Sequence, residues 1–196
     1  MKLSELVSNK KRKMNMYEKY VKRGIDFILS LTALTVLSPL LILLTIIGAI
    51  AMGGNPFFVQ KRPGNKDKTG KEAIFSLIKF RTMNNKKDKN GKLLPDEVRL
   101  TKYGRFLRST SLDELPELLN ILNGSLAIIG PRPLLTSYLQ RYSTEQRRRH
   151  DVRPGLTGYA QAYGRNSLTW EEKFEKDVYY VDHVSFLFDL RILFKT

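Results

Sequence analysis

Cysteine is absent from the 196-residue chain, so neither a disulfide nor a thiolate metal site is available and no redox compartment can be read from thiols. Histidine occurs twice, as His150 and His183, too few and too far apart for an obvious zinc site. Acid is scarce: 19 Asp and Glu stand against 34 Lys and Arg, a net charge of +15. That excess calls for an anionic partner, whether nucleic acid, anionic lipid or a phosphorylated substrate. Between Asp26 and Lys61 charge is missing altogether. Internal repeats and low-complexity domains are also missing, and the length allows one modest domain with appendages.

The charge-free stretch is apolar from Phe27 to about Gly54, longer than the roughly 20 residues a spanning helix needs. A cleaved signal peptide fits poorly, because the run is too long and a basic segment follows directly. Two features compete with a simple span. Ser38-Pro39 sits near the middle, where proline removes a helix hydrogen bond and the serine can satisfy the freed carbonyl in a dry environment. Both flanks are also basic, with Lys10, Lys11, Arg12, Lys13, Lys19, Lys22 and Arg23 before the run and Lys61, Arg62, Lys66 and Lys68 after it. Positive residues favour the cytoplasmic side, so both ends seek the same one. Arms of about 12–15 residues at ~1.5 Å each reach ~18–22 Å, short of a ~30 Å hydrocarbon core. A re-entrant hairpin satisfies proline, charge and length together. An ordinary tilted span with a tolerated proline is the other reading, and the residues alone do not choose between them.

Residues 1–16 read as a basic tail, 17–54 as an N-terminal helix and membrane segment, and 55–196 as the remaining domain. Lys22 and Asp26 have the spacing of a helical ion pair. Residues 57–60 and 74–80 are β-prone runs around a glycine-rich polar stretch, which predicts a small hairpin. Residues 84–96 read as a charged loop. Helix returns near Leu100, and residues 114–122 carry Leu115, Leu118, Leu119 and Leu122 at helical spacing, with Pro116 in the first turn and Asn123-Gly124 at the end. Residues 134–149 predict a basic helix, 153–158 a turn, 170–180 an amphipathic helix, and 186–194 an apolar segment suited to a membrane interface.

The chemistry concentrates in Arg108-Ser109-Thr110-Ser111-Leu112-Asp113-Glu114-Leu115-Pro116. Asp113 and Glu114 are adjacent acids behind an arginine, pointing ~100° apart if helical. One can attack or bind metal while the other moves a proton, and a carboxylate can form an acyl phosphate that splits one displacement into two. A helix N-terminus explains the same residues, with Ser111 as N-cap and acids in the first turn. In Gly130-Pro131-Arg132-Pro133 two rigid prolines preset a guanidinium for bidentate phosphate contact, or simply frame one surface arginine. Lys79 and Arg81 flank Phe80 and can meet phosphate oxygens from one side of a strand, or guard a sheet edge. Arg147-Arg148-Arg149-His150 reads as a solvated or lipid-facing basic patch, with His150 a structural or surface residue and not a catalytic one. Trp170, Tyr179 and Tyr180 read as core or interface anchors.

Taken in order, a set of blocks resembles the bacterial sugar transferase family, the monotopic phosphoglycosyl transferases in their small single-domain form. They are Lys22-Arg23-Gly24-Ile25-Asp26, Ser38-Pro39, Gln60-Lys61-Arg62-Pro63-Gly64, Lys79-Phe80-Arg81-Thr82-Met83 and Gly104-Arg105-Phe106-Leu107-Arg108. They continue with Ser111-Leu112-Asp113-Glu114-Leu115-Pro116, Gly130-Pro131-Arg132-Pro133, Arg153-Pro154-Gly155-Leu156-Thr157-Gly158 and Gly164-Arg165-Asn166. The likeness runs from about Tyr17 to Thr196. It implies an α+β, mostly helical fold with a re-entrant membrane helix hairpin broken at Ser38-Pro39, interface-parallel amphipathic helices and a small β-hairpin. Residues 55–196 would then be a catalytic domain on the cytoplasmic face of the bacterial inner membrane.

The resemblance also implies Mg2+-dependent transfer of a sugar 1-phosphate from a UDP-sugar to a polyprenyl phosphate, with release of UMP, to initiate glycoconjugate assembly. On that likeness Asp113 is the nucleophile of a covalent phospho-sugar intermediate and contacts Mg2+. Glu114 is its dyad partner, accepting a proton from the lipid phosphate or orienting it, and Lys79, Arg108 and Arg132 hold phosphate groups. The implied partners are donor, acceptor and membrane lipid, not nucleic acid, with homo-oligomerisation left open. Gly124-Ser125-Leu126-Ala127 stands where many relatives read Gly-Asp-Met-Ser, and Gln161-Ala162-Tyr163-Gly164-Arg165 where many read Gln-Val-Asn-Gly-Arg. Neither departure touches the dyad; the second bears on nucleotide or sugar contacts. A multi-spanning phosphoglycosyl transferase needs more spans than the one apolar segment supplies. A non-enzymatic membrane-anchored basic protein, binding anionic lipid or nucleic acid, would explain the charge but not the dyad beside ordered cations.

Overall fold

The computed structural model describes residues 14–164 and 167–196. Most of the expected basic tail, residues 1–13, lies outside them, as do Arg165 and Asn166 of the Gly164-Arg165-Asn166 block. The described chain forms two compact units. One comprises Ser30–Gln60 and Ser76–Asn120; the other comprises the described residues up to Leu29, Lys61–Phe75 and Ile121–Thr196.

A π-helical turn, Tyr17–Val21, leads into α1 (Lys22–Val36), and only Leu37 separates it from α2 (Ser38–Met52). The run Tyr17–Met52 is long and apolar enough to cross a membrane, with a mean hydropathy of 2.5 in its most apolar window. The break lies at Leu37, not at Ser38-Pro39, which fill the first positions of α2. Proline fits there because its missing N–H falls among groups a helix start leaves unpaired. The carbonyl four residues before Pro39 is that of Thr35, and the Ser38 hydroxyl donates to it at 2.8 Å, as expected for a serine beside an apolar-segment proline.

In the Ser30–Gln60/Ser76–Asn120 unit, Leu40, Leu41 and Leu44 of α2 pack with Phe57, Phe80, Tyr103, Leu107, Leu112 and Leu115. The Tyr103 hydroxyl donates to the Leu44 carbonyl at 2.8 Å. Gly48 continues this stripe, since a Cβ there would lie 3.0 Å from both Pro56 and the Tyr103 hydroxyl. Ile42, Leu43, Ile46, Ile47 and Ile50 are exposed. An aliphatic face of this size suits bilayer lipid, and a removable leader would not contribute Leu44 to a core. The chain therefore associates with a membrane through this helix.

Two strands, β1 (Phe57–Lys66) and β2 (Glu72–Phe80), form the expected hairpin and are longer than the β-prone runs alone. Two helices follow, α3 (Asp96–Arg99) and α4 (Lys102–Ser109); the Thr101 hydroxyl caps α4 by accepting from Gly104 N at 2.9 Å. Helix α5 covers Glu117–Asn123. Asn120 ties it to β2, its amide donating to the Ser76 carbonyl (2.8 Å) and its oxygen accepting from Ile78 N (3.0 Å).

The other unit holds a two-stranded parallel sheet that the residue pattern does not announce. β3 (Ala127–Ile129) pairs with β4 (Gly155–Thr157), so residues 155–157 are strand where a turn was expected. The expected helix over 134–149 is instead two 3-10 turns, Thr136–Tyr138 and Gln146–Asp151. Ser143 interrupts it: its hydroxyl accepts from Gln146 N while the Gln146 side chain accepts from Ser143 N, a local cap that restarts the chain there. A short α6 (Tyr159–Ala162) precedes α7 (Trp170–Asp182), which opens on a Thr169/Glu172 capping box, and α8 (Phe186–Lys195). Ile129, Val152, Tyr180, Val181, Val184 and Ile192 form the core.

The first turns of α1 are anchored in this unit. Lys22 pairs with Asp189 at 2.5 Å, and Asp26 pairs with Arg153 at 3.1 Å and accepts from Ile128 N. The expected Lys22–Asp26 pair is thus replaced by two longer-range ones, because both side chains are buried and each finds an ionic partner from another element. The basic patch at 147–149 also needs correction. Arg149 is buried against Asp177, while Arg147 pairs with Glu72 and Arg148 with Asp182. Tyr180 is a core residue, its hydroxyl donating to Asp189, whereas Trp170 and Tyr179 are exposed.

Candidate active site

Asp113 and Glu114 lie on a 3-10 turn, Leu112–Glu114, set between α4 and α5. Ser111 makes no side-chain cap and adopts φ 57°, the one non-glycine residue with positive φ among the described residues. It occupies the left-handed position that follows α4 and also opens the 3-10 turn through its backbone, its carbonyl accepting from Glu114 N at 3.2 Å. The acids therefore sit on a tight reversal whose backbone strain is local to the site.

Lys79, at the end of β2, reaches this turn. Its ammonium donates to Glu114 Oε1 at 2.7 Å and lies 2.9 Å from Glu117 Oε1. Arg108, on the last turn of α4, donates from Nε to the Thr82 hydroxyl at 3.0 Å. Gly104 makes that approach possible: a Cβ there would fall 1.9 Å from the Thr82 carbonyl, so only glycine lets α4 lie against this backbone. Burial raises the pKa of Asp113; Lys79 and Arg108 oppose the rise and Glu114 adds to it. The result is a carboxylate held short of full solvation between two cations, with a second acid beside it.

Lys79, Arg108, Asp113 and Glu114 thus share one unit. Arg132 belongs to the other. Its loop is set by backbone packing: Gly130 N donates to Thr157 O (2.9 Å) and Gly155 N to Pro131 O (3.0 Å). A Cβ on Gly130, Gly155 or Gly158 would lie 2.1–2.4 Å from the facing main chain, which explains why the glycines of the 130–133 and 153–158 blocks occur together. Arg149 completes the support, donating from Nη2 to the Arg132 carbonyl and to Asp177, both at 2.7 Å. His150 is structural, as expected. Its Nδ1 bonds the Gly64 carbonyl at 3.0 Å, which places the proton on Nδ1, and burial pushes its pKa down to about 4. Arg81 contributes its main chain, donating to the Pro56 carbonyl at 2.7 Å.

Glu117 and Thr82 are the residues sequence reasoning missed. Glu117 was findable, because it lies three positions after Glu114, the spacing that places side chains on one helical face. Among the described residues no group of three or more His, Cys, Asp or Glu side chains is placed to hold a metal. The donor set still fits a hard cation such as Mg2+, which keeps several waters and takes one or two carboxylates plus substrate phosphates. Asp113 is the carboxylate of this turn that could supply one such ligand.

Known proteins resemble this chain over most of its length. The bacterial sugar transferase family profile matches residues 17–196. The chain is 49% identical over 173 residues to the uncharacterized sugar transferase EpsL of Bacillus subtilis, covering 88% of this chain and 83% of that protein. It is 36% identical to the exopolysaccharide production protein ExoY of Sinorhizobium fredii, covering 89% and 83% respectively. It is 36% identical to the UDP-glucose:undecaprenyl-phosphate glucose-1-phosphate transferase of Klebsiella pneumoniae, covering 89% of this chain but 39% of that longer protein. The chain belongs to the bacterial sugar transferase family.

Proposed function

We propose that this protein moves a sugar 1-phosphate from a UDP-sugar to a polyprenyl phosphate, releases UMP, and so initiates assembly of a glycoconjugate. The carrying observation is the Asp113-Glu114 pair on one turn, with the Lys79 ammonium 2.7 Å from Glu114. The glucose-1-phosphate transfer to undecaprenyl phosphate for which the Klebsiella relative is named supports the substrate class. An Asp113 oxygen attacks the β-phosphorus of the donor. The bond from that phosphorus to the oxygen bridging the α-phosphate breaks, and UMP leaves with the electron pair. An oxygen of the lipid phosphate then attacks the same phosphorus. The aspartyl O–P bond breaks, Asp113 returns as a carboxylate, and the sugar leaves on a polyprenyl diphosphate.

Glu114 accepts the acceptor's proton or orients its phosphate. An ammonium has three donors; Lys79 donates one to Glu114 and stands 2.9 Å from Glu117, with donor capacity left for a phosphate oxygen, and Arg108 brings a guanidinium fork. Arg132, on the other unit, is proposed from the family likeness as a further phosphate-holding group. Mg2+, when bound through Asp113, neutralises charge on the transferred phosphoryl group.

The apolar run is proposed to enter and leave on one side. α1 and α2 have 15 residues each, ~22 Å apiece at ~1.5 Å per residue and too short alone for a ~30 Å core. Lys22 and Asp26 tie the start of α1 to polar partners, and Tyr103 ties down Leu44 and Gly48 of α2. Basic flanks assign that side to the cytoplasmic face of the bacterial inner membrane.

The test is UMP release from wild type given UDP-sugars, Mg2+ and polyprenyl phosphate, alongside Asp113→Asn. The reading requires release that the substitution abolishes while membrane association persists. A basic anchor without catalysis, a reading that explains net charge +15 equally well, gives no release from wild type.

A further inference from the structure

Resting on that reading, we propose that Glu117 is a positioning residue, which fixes the Lys79 ammonium so that one cation orients Glu114 against the phosphoryl-transfer centre. Burial sets the order of the three groups. The Glu117 side chain is 4% exposed, against 18% for Lys79 and 22% for Glu114. Glu117 is therefore the inner member, Lys79 the bridge and Glu114 the outer member nearest to where substrate arrives.

The backbone supports this order. Glu117 opens α5, where a negative charge is favourable at a helix start. Three residues later on the same helix, Asn120 binds the backbone of Ser76 and Ile78 on β2. One face of α5 thus holds the β2 backbone next to Lys79 through Asn120, and the Lys79 ammonium through Glu117. A lysine side chain has four rotatable bonds and much rotamer freedom to lose. A buried carboxylate in ion-pair contact at 2.9 Å removes that freedom before substrate binds. Glu114 is then met by a cation already in place, and the reaction avoids reorganising it. Lys79 accordingly acts more on the orientation of Glu114 than on donor affinity.

Three substitutions separate this role from a merely structural one. Glu117→Leu removes the acceptor at similar volume, Glu117→Asp keeps the charge but withdraws it by one methylene, and Glu117→Gln keeps an acceptor at full reach. The expected result is a roughly tenfold fall in kcat for Leu and Asp, about one charge-assisted hydrogen bond, with donor KM changed less than about twofold. Glu117→Gln is expected to recover most of that loss. In single-turnover reactions the Leu substitution should add less than about twofold to the loss already caused by Lys79→Met, because both act through one ammonium. Thermal melts identify any variant that fails to fold, and Asp then replaces Leu in the cycle. Full multiplicative loss in the Lys79→Met background overturns the inference, and so does wild-type kcat in both Leu and Asp. If wild type releases no UMP, or Asp113→Asn releases as much, the transfer reading itself fails.

Discussion

Asp113 is held where its ionised form is disfavoured. Burial is the main cause, repulsion from Glu114 adds to it, and Lys79 and Arg108 oppose it without cancelling it. A carboxyl whose folded pKa lies above its unfolded value stabilises the fold while protonated, and that contribution is lost as pH rises through the folded value. Asp113→Asn should therefore melt higher than wild type at pH 7 while losing activity, the trade-off expected of a strained catalytic group. The gap should close below about pH 4, where the unfolded carboxyl is also protonated. A variant that melts with or below wild type at pH 7 would contradict the electrostatic account of the site. His150 carries the opposite sign. Its folded pKa is pushed down to about 4, first by burial and then by Arg149, against about 6.5 unfolded. Its contribution is present above the unfolded value and lost as pH falls from about 6.5 toward 4. His150→Gln should flatten the stability–pH curve in that window, as chemical denaturation in detergent would show. An unchanged slope would mean the imidazole is not buried in its neutral form.

At the scale of elements, close backbone approaches decide what the chain tolerates. Gly104 lies against the Thr82 carbonyl with no room for a Cβ, whereas a Cβ at Gly24, on the exposed side of α1, meets nothing within 4 Å. Gly104→Ala should displace α4, release Arg108 from Thr82 and abolish activity. Gly24→Ala should be neutral or stabilising by ~0.5–1 kcal/mol, the helix-propensity difference. Melting curves of the pair check this, and equal effects would remove the packing explanation. The same scale shows which elements were legible. The β1–β2 hairpin, α7 and the Ser38 contact to Thr35 follow from alternation, capping residues and proline chemistry, all local in sequence. The β3–β4 pair was not legible, because three-residue parallel strands carry no periodicity and Ala127 meets Gly155 only through tertiary packing. The Lys22–Asp189 and Arg149–Asp177 pairs join residues distant in the chain, so local spacing pointed to other partners for Lys22 and to solvent for Arg149. At the candidate site the acids and cations were readable as residue types, and the spacing of Glu117 from Glu114 was readable too, but only the contact with Lys79 singles Glu117 out from the other positions of its helix.

At the scale of the whole molecule, membrane attachment and chemistry belong to one chain with a net charge of +15 and a single uncharged run. The absence of native cysteine makes topology directly measurable. Tyr20→Cys and Asn65→Cys should both react with an impermeant thiol reagent from the same side of sealed vesicles. Labelling from opposite sides would establish a full span and end the re-entrant proposal. The central claim, that Asp113 carries the sugar phosphate, is tested most directly by intact-protein mass spectrometry. Wild type and Asp113→Asn are incubated with Mg2+ and a panel of UDP-sugars without lipid acceptor. The account predicts a mass increase equal to one sugar phosphate on wild type alone, with matching UMP, discharged when polyprenyl phosphate is added. The same adduct on Asp113→Asn, or lipid-linked product made by Asp113→Asn at the wild-type rate, would contradict it.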